Sequence, residues 1–378
     1  MSPQKIISKT FFQEDSNYRI IEDIKSNTIL DITEILPLIT PGTKIRSGLD
    51  EVLFGNLGGL FVLGDNDNLE DIKKGGIDLD LDFSSQKLFE LSKMDGAIIL
   101  SSDLKKITGA NKHLMPDRNI SSTETGMRHR SAEQTAIATG LPVIAISHRR
   151  SIITLYFRDQ KYVLQDIGQL FIKGNYLLNN LREYRAVIDK DQVLLIKEEY
   201  NLLDGSFKKA ISLIQKILFF YKHKVELDKI IIELGKEGYD ILQTLNELVF
   251  DLDNILFNII KDFSEDLEDI NINYDDFLFE KIDFLKKLDF RTIYDQEHLV
   301  EIIGIKKMIP KGYSVLQKVQ NIDSINILKI ISKFKNLEYI KSANIGKMCL
   351  IEGIDSSFAK FLKSELDRLN QDLFSVSL

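Results

Sequence analysis

The placement of proline constrains this chain more than any other feature. Prolines stand at Pro3, Pro37, Pro41, Pro116 and Pro142, and the next is Pro310. Proline lacks a backbone N–H and clashes with the preceding helical turn, so helix interiors exclude it. The stretch between Pro142 and Pro310 is therefore free to run as long helices, whereas the first third is broken into short elements. Glycine agrees, with Gly55, Gly58, Gly59, Gly64, Gly75, Gly76, Gly96 and Gly109 all in that first third. A length of 378 residues allows two or three domains. The sequence places them at 1–165, 166–305 and 306–378.

The first region alternates strand and helix signals. GLFVLGD (59–65) is a short apolar run stopped by Gly-Asp, as in a buried strand and its turn. SSQKLFELSKM (84–94) offers a serine N-cap, then Leu88 and Leu91 at helical spacing. GAIIL (96–100) is a second buried strand. SAEQTAIATG (131–140) predicts a helix closed by Gly140, which suits a left-handed C-cap. PVIAIS (142–147) and SIITLYF (151–157) predict strands joined by a hairpin at His148, Arg149 and Arg150, and KYVLQ (161–165) a further strand. This alternation predicts an α/β domain with a central mixed sheet.

The middle region reads as all-α. Leu245, Leu248, Leu252, Ile255 and Ile259 recur in heptad-like steps, the seam of a bundle or coiled coil. Core packing explains that seam better than a cofactor-binding stripe. SEDLEDININYDD (264–276) predicts an acidic, solvated connector. The tail predicts shorter helices around EGID (352–355). Lys and Arg outnumber Asp and Glu there, although the whole chain carries a formal net charge of -8. That asymmetry points to a polyanionic partner.

Composition excludes several classes. Hydrophobic residues make up 44% of the chain, ordinary for a soluble globular protein. No apolar run approaches the ~18 residues that span a bilayer, and MSPQKIISKTFFQED lacks a signal-peptide core. The expectation is a cytoplasmic protein with no membrane partner. The single cysteine, Cys349, excludes an intrachain disulfide and a cysteine-rich zinc centre. The histidines are too scattered to form a metal-binding cluster. An acidic total argues against wholesale coating of nucleic acid but leaves room for a local basic patch. The chain has neither a GxxxxGK[ST] loop nor a GxGxxG turn after a strand, so Walker-type and dinucleotide-binding folds are disfavoured.

Chemistry concentrates at ETGMRHRS (124–131). Ser131 is a suitable N-cap and Glu133 lies near the first turn, so a helix is expected to begin there. Unpaired first-turn N–H groups and the helix dipole favour an anion at such a start. Arg128 and Arg130 add bidentate phosphate donors, and His129 one more hydrogen bond. Gly126 allows a tight turn before them. The alternative is that the arginines make surface ion pairs with Glu124 and Glu133. Asp95 falls between a helix and a strand, where a carboxylate can hold Mg²⁺ or Mn²⁺ or lean on a ribose hydroxyl. Gly96 and Ala97 are small enough for a nucleotide to approach the backbone. An ordinary Asp-Gly turn is the competing explanation. ANKHLMPD (110–117) is expected to be a loop whose Leu114 and Met115 either lie on a purine face or fold back onto the core. Ser147 and Arg150 either add phosphate donors or merely cap a solvated hairpin.

Taken together, GLFVLGD, GGIDLDLDFSSQKLFELSKMDGAIILSSDLKKI, ANKHLMPD and ETGMRHRSAEQTA resemble the bacterial DNA integrity scanning family of diadenylate cyclases. The resemblance covers nearly the whole chain. Its most specific part is a DGA element followed by an RHR element within one α/β domain. The helical middle and IPKGYSVLQKV match this family rather than membrane-anchored cyclases. The resemblance implies a nucleotidyltransferase that condenses two ATP molecules into cyclic di-AMP and releases two pyrophosphates. It implies that Asp95, Arg128, His129 and Arg130 are catalytic. It also implies that Gly96, Ala97, Leu114, Gly126, Met127, Ser131, Ser147 and Arg150 contact ATP, with Mg²⁺ or Mn²⁺ at Asp95. Cyclase domains of this family meet face to face, and the subunits form octamers. The family's tail is a helix–hairpin–helix domain that binds branched or non-specific DNA and couples it to the cyclase in a DNA-integrity checkpoint. Carried onto this chain, the DNA contacts are Lys347, Gly353, Ile354, Lys360 and Lys363. The chain departs from the pattern twice. Met127 stands where the family usually has threonine, and Asp355 replaces the second glycine of the hairpin. Met127 is the feature that favours the alternative of a non-catalytic cyclic di-AMP, ATP or DNA sensor.

Overall fold

The computed structural model describes residues 31–264, 272–320 and 322–375. The segment read for a signal peptide and residues 265–271 of the acidic connector lie outside the described residues. The rest of that connector, from Ile272 onward, enters a helix, Ile272–Leu285. The chain divides into two compact units. One runs up to Leu177 and includes Glu226–Thr244; the other comprises Leu178–Val225 and the chain from Leu245 onward. These units divide the sequence-based span 166–305 between them, and 306–378 falls within the second.

The first unit is built on an eight-stranded mixed sheet. Helix α1 (Lys44–Phe54), capped by Thr43, precedes the central strand β1 (Gly59–Leu63). Every residue of β1 is buried, as its unbroken apolar run requires. Helix α2 (Asp67–Ile72) leads to β2 (Lys73–Lys74) and β3 (Ile77–Asp82), and α3 (Ser85–Leu91) starts at the expected Ser84 cap. Strands β4 (Ala97–Leu100) and β5 (Lys106–Leu114) follow, then helix α4 (Met127–Thr139). Strands β6 (Val143–Ser147), β7 (Ile152–Phe157) and β8 (Gln160–Val163) complete the sheet as an antiparallel meander. The order is β2-β5-β4-β1-β6-β7-β8, with β3 also on β5; β1 and β4 are the parallel pair. Ala132 and Ala136 of α4 pack against Leu60, Val62, Ile99, Val143 and Tyr156. Small residues on that face bring the helix close to the sheet.

Two local expectations are revised. Of the loop expected over 110–117, residues 110–114 are the end of β5, which pairs with β4 on one side and β2 and β3 on the other, and the loop begins at Met115. Pairing on both sides outweighs the polar residues Asn111, Lys112 and His113, because strand preference depends on context. The seam from Leu245 to Ile259 is not one helix. It is split between α7 (Tyr239–Val249) and α8 (Leu252–Asp262), with Asp251 in the left-handed region between them.

The proline-free stretch does carry the longest helices, α5 (Ile167–Tyr200) and α6 (Ser206–Leu234). In the second unit, Asp262 at the end of α8 is buried and accepts the N–H groups of Gly312, Tyr313 and Ser314 at 2.7, 2.7 and 2.9 Å. The tail folds around Val315, Leu316, Ile330, Leu337, Ile340 and Leu362, and that core takes in Ile196 and Tyr200 from α5. Among the described residues no helix is long and apolar enough to cross a membrane.

Candidate functional site

Helix α4 begins a turn earlier than its caps suggested. Its N-cap is Gly126, which offers no side chain to the first-turn N–H groups. Arg130 N–H donates to the Gly126 carbonyl at 2.8 Å, so the helical ladder is already running there. Ser131 therefore lies inside the helix. The expected role of Glu133 near the first turn is filled otherwise: its carboxylate receives the Ser122 hydroxyl and the Thr123 N–H. The triplet Arg128-His129-Arg130 thus occupies the first turn itself, where the dipole and unpaired N–H groups favour negative charge.

An open cavity of about 790 Å³ lies against this helix start. It brings together Asp95, Gly96, Leu114, Gly126, Met127, Arg128, His129, Ser131 and Ser147. Ligand pockets commonly measure about 300–1,000 Å³. Three of the residues named from sequence lie outside its lining. Ala97 is wholly buried in β4. Arg130 turns away, and its guanidinium donates to the Glu124 carbonyl oxygen at 3.2 and 3.3 Å. Arg150 is exposed in the β6–β7 turn, while its neighbours His148 and Arg149 line the cavity. Leu60, Lys112, His113, Met115 and Ile146 complete the wall. Sequence reasoning passed over Lys112 and His113 because it took their strand for a loop. Which hairpin residue faces inward depends on turn geometry, to which the sequence gives no signal.

Each side chain has an identifiable support. Arg128 is exposed, with its guanidinium over Gly58; a Cβ there would collide with it. Gly96 has φ +89°, and an added Cβ would stand 2.7 Å from the Asn111 carbonyl carbon. Its missing side chain therefore serves the close approach of β5. Lys112 is buried and donates to Asp78 at 2.6 Å. The hydrogen bond and charge of Lys112 lower the Asp78 pKa. Met127 is 85% exposed.

His129 is buried, with Nδ1 2.9 Å from the Tyr156 hydroxyl. That hydroxyl donates to Glu124 Oε1 at 2.8 Å, and Lys161 pairs with the same carboxylate oxygen. Surface ion pairs between the arginines and Glu124 are therefore replaced by an inward network on β7 and β8. Burial raises the Glu124 pKa, but the bonds from Lys161 and Tyr156 outweigh it and the net shift is downward. Burial pushes the His129 pKa down, opposed by Glu124 and reinforced by Arg150, Lys161 and Arg128.

Asp95 is exposed between α3 and β4 and is the one acidic side chain in the cavity lining. No group of three His, Cys, Asp or Glu side chains among the described residues is arranged to hold a metal. Magnesium commonly takes one or two carboxylates and completes its shell with substrate phosphates and water. This donor set thus fits an ion brought in with a polyphosphate, not a resident metal centre.

The tail residues behave differently. Gly353 has φ +88°, as a tight hairpin requires. Ile354 is buried in the tail core, and its N–H donates to the Ile351 carbonyl at 3.1 Å, so it is not a surface contact. Asp355 caps α16 (Ser356–Ser375), its Oδ1 accepting the Phe358 N–H at 2.7 Å. Lys363 is half-buried and donates to the Lys341 carbonyl; burial lowers its pKa. Lys347 and Lys360 are exposed. Lys329, not singled out from sequence, donates to the Glu352 carbonyl at 2.9 Å and lies beside Gly353.

Comparison with known proteins agrees with this layout. The family model described as the DisA bacterial checkpoint controller nucleotide-binding domain matches residues 46–161. The DisA bacterial checkpoint controller linker region matches residues 164–311. The DNA integrity scanning protein DisA of Bacillus subtilis is 35% identical over 350 residues, covering 90% of this chain and 95% of that protein. Its counterpart in Bacillus licheniformis is 36% identical over 349 residues, covering 90% and 95%. That of Clostridium acetobutylicum is 35% identical over 362 residues, covering 93% and 98%. With its sheet unit matched by the nucleotide-binding model and its first long helices by the linker model, the chain belongs to the DisA family of DNA integrity scanning proteins.

Proposed function

We propose that the chain is a diadenylate cyclase, joining two ATP molecules into cyclic di-AMP with release of two pyrophosphates. The observation that carries this reading is the shared cavity: Asp95 and the first turn of α4 line one space of nucleotide size. Its walls divide by chemistry. Arg128, Arg149, Ser131 and Ser147 offer donors to phosphate, and Leu60, Leu114, Met115 and Ile146 offer apolar surface to a purine.

Each ribose 3′-oxygen attacks the α-phosphorus of the other nucleotide. A 3′-O–P bond forms as the hydroxyl gives up its proton to solvent, the α–β P–O bond breaks, and pyrophosphate carries away the electron pair. Such a transfer depends on alignment and on neutralising charge. Arg128 and the α4 N–H groups hold the phosphates, and the carboxylate of Asp95 would hold Mg²⁺ or Mn²⁺. When bound, that ion offsets phosphate charge and makes the hydroxyl a better nucleophile. Because the two nucleotides are chemically equivalent, two cavities must face each other, which supports a homo-oligomer such as the octamer. A cytoplasmic enzyme whose rate answers to branched or non-specific DNA at the tail completes the reading.

Incubating the full chain with ATP and Mn²⁺ and separating the products by chromatography tests it. Cyclic di-AMP is expected from the wild type and not from Asp95→Asn. ATP bound but never consumed would overturn the cyclase and favour the sensor that Met127 suggests.

A further inference from the structure

We propose that Tyr156 is a positioning residue that fixes the His129 ring with Nε2 as a hydrogen-bond acceptor, and that this nitrogen receives a ribose hydroxyl instead of donating to a phosphate. The inference rests on the nucleotide reading of the cavity and assigns His129 a different task within it.

A count of protons leads there. Tyr156 has one hydroxyl proton, and the ionised Glu124 carboxylate can only accept. The 2.8 Å bond to Glu124 Oε1 therefore uses the Tyr156 proton. The 2.9 Å contact between the Tyr156 oxygen and His129 Nδ1 must then take its proton from the imidazole. A neutral ring that carries its proton on Nδ1 leaves Nε2 as a lone pair. That Nε2 is buried and has no hydrogen-bond partner among the described residues. The neighbouring Cδ2 lies 3.9 Å from where a Cβ on Gly126 would stand, and Gly126 and His129 both line the cavity. The unpartnered edge of the ring thus lies beside Gly126, a residue of the cavity lining at the start of α4. A buried acceptor without a donor is costly. Phosphate oxygens offer no proton at neutral pH, whereas the ribose hydroxyls do.

Charges around the ring decide how this changes with pH. Glu124 favours protonation; Arg128 at the cavity, Arg150 in the β6–β7 turn and Lys161 on β8 oppose it. The net downward shift keeps the acceptor form through neutral pH. It is lost only as the pH falls below the ordinary histidine range.

The test is calorimetric binding of ATP, 2′-deoxy-ATP and 3′-deoxy-ATP to the full chain. The wild type is expected to bind one deoxy analogue roughly three- to tenfold more weakly than ATP, the scale of one hydrogen bond. Tyr156→Phe and His129→Ala should each bring ATP and that analogue to within about twofold, because the acceptor is then unfixed or missing. A purely structural tyrosine would weaken all three nucleotides alike, leaving the wild-type ratio intact and overturning the proposal. Equal wild-type affinity for all three, or ATP affinity that climbs as pH falls from 7.5 to 6, would also overturn it while leaving a nucleotide site in place. Failure of the wild type to bind ATP at all would remove the nucleotide reading itself.

Discussion

Helix α4 in the sheet unit and helix α16 in the tail both start after a glycine-containing turn near cations, yet they offer opposite things to an anion. At α4 the N-cap is Gly126, no side chain among the described residues caps the first-turn N–H groups, and Arg128 stands exposed at the cavity. At α16 the Asp355 carboxylate already fills the capping position. The Ile354 N–H is spent within the turn, and the Lys363 amine gives one of its protons to a carbonyl. Glycine and basic residues do not by themselves make a phosphate site. Local donors must also be left uncommitted, and only the α4 start satisfies that condition fully.

The largest effect is expected where donors are free. Arg128→Ala should lower ATP affinity roughly 10- to 100-fold, the range for losing hydrogen bonds to a charged group. Titration calorimetry against the wild type reads it directly. Unchanged affinity would mean that the exposed guanidinium does not face the ligand, and the contrast between the two helices would lose its functional meaning.

How much of this was legible in the sequence follows from the range of the forces involved. Ser84 as an N-cap, Gly140 as a left-handed C-cap and the 148–150 hairpin are decided within a few residues, and the sequence shows them directly. Strand β5 was hidden because β2 and β3, its partners on one side, lie farther back in the sequence, and pairing with them and with neighbouring β4 overrides the polar run Asn111-Lys112-His113. The early start of α4 was hidden because Glu133 is held by Ser122 and Thr123, a tertiary choice. For the same reason Lys112 and Arg149 went unnoticed as cavity residues, and Arg130 and Arg150 were counted where the fold turns them elsewhere. The inward network of His129, Tyr156, Glu124 and Lys161 joins α4 to two strands, and no spacing in the sequence announces it.

A middle-sized effect separates the two roles of Asp355. Asp355→Ala should cost about 1 kcal/mol of tail stability through the lost cap. Asp355→Gly should cost only a few tenths, because glycine is tolerated at an N-cap. If the capping carboxylate is what makes this helix start unlike α4, the glycine variant should bind branched DNA more tightly, and its affinity should fall more steeply with salt. Denaturant unfolding gives the first difference and a salt series in a DNA-binding assay gives the second. A glycine variant that loses as much stability as the alanine variant would show that Asp355 acts through something other than its cap. Point variants are preferable to removing the tail, because its core includes Ile196 and Tyr200 of α5, which truncation would expose.

The smallest effect concerns a cation that the fold brings to the hairpin from outside the motif. Lys329 lies on helix α13 (Ser324–Phe334), and its amine bonds the Glu352 carbonyl and stands 3.3 Å from where a Gly353 Cβ would be. An amine with three protons can keep one on that carbonyl and offer the others to a phosphate. Standing beside the hairpin glycine, Lys329 would add a phosphate contact there to those the sequence pattern gave. Lys329→Ala should weaken DNA binding equally across sequences and reduce the salt slope by about 0.9, the loss of one phosphate contact. Its loss should leave ATP affinity untouched, which keeps the effect confined to the tail. If the slope changes instead in Lys347→Ala or Lys360→Ala and not in Lys329→Ala, phosphate is held on the exposed helix faces, and the hairpin backbone contributes nothing.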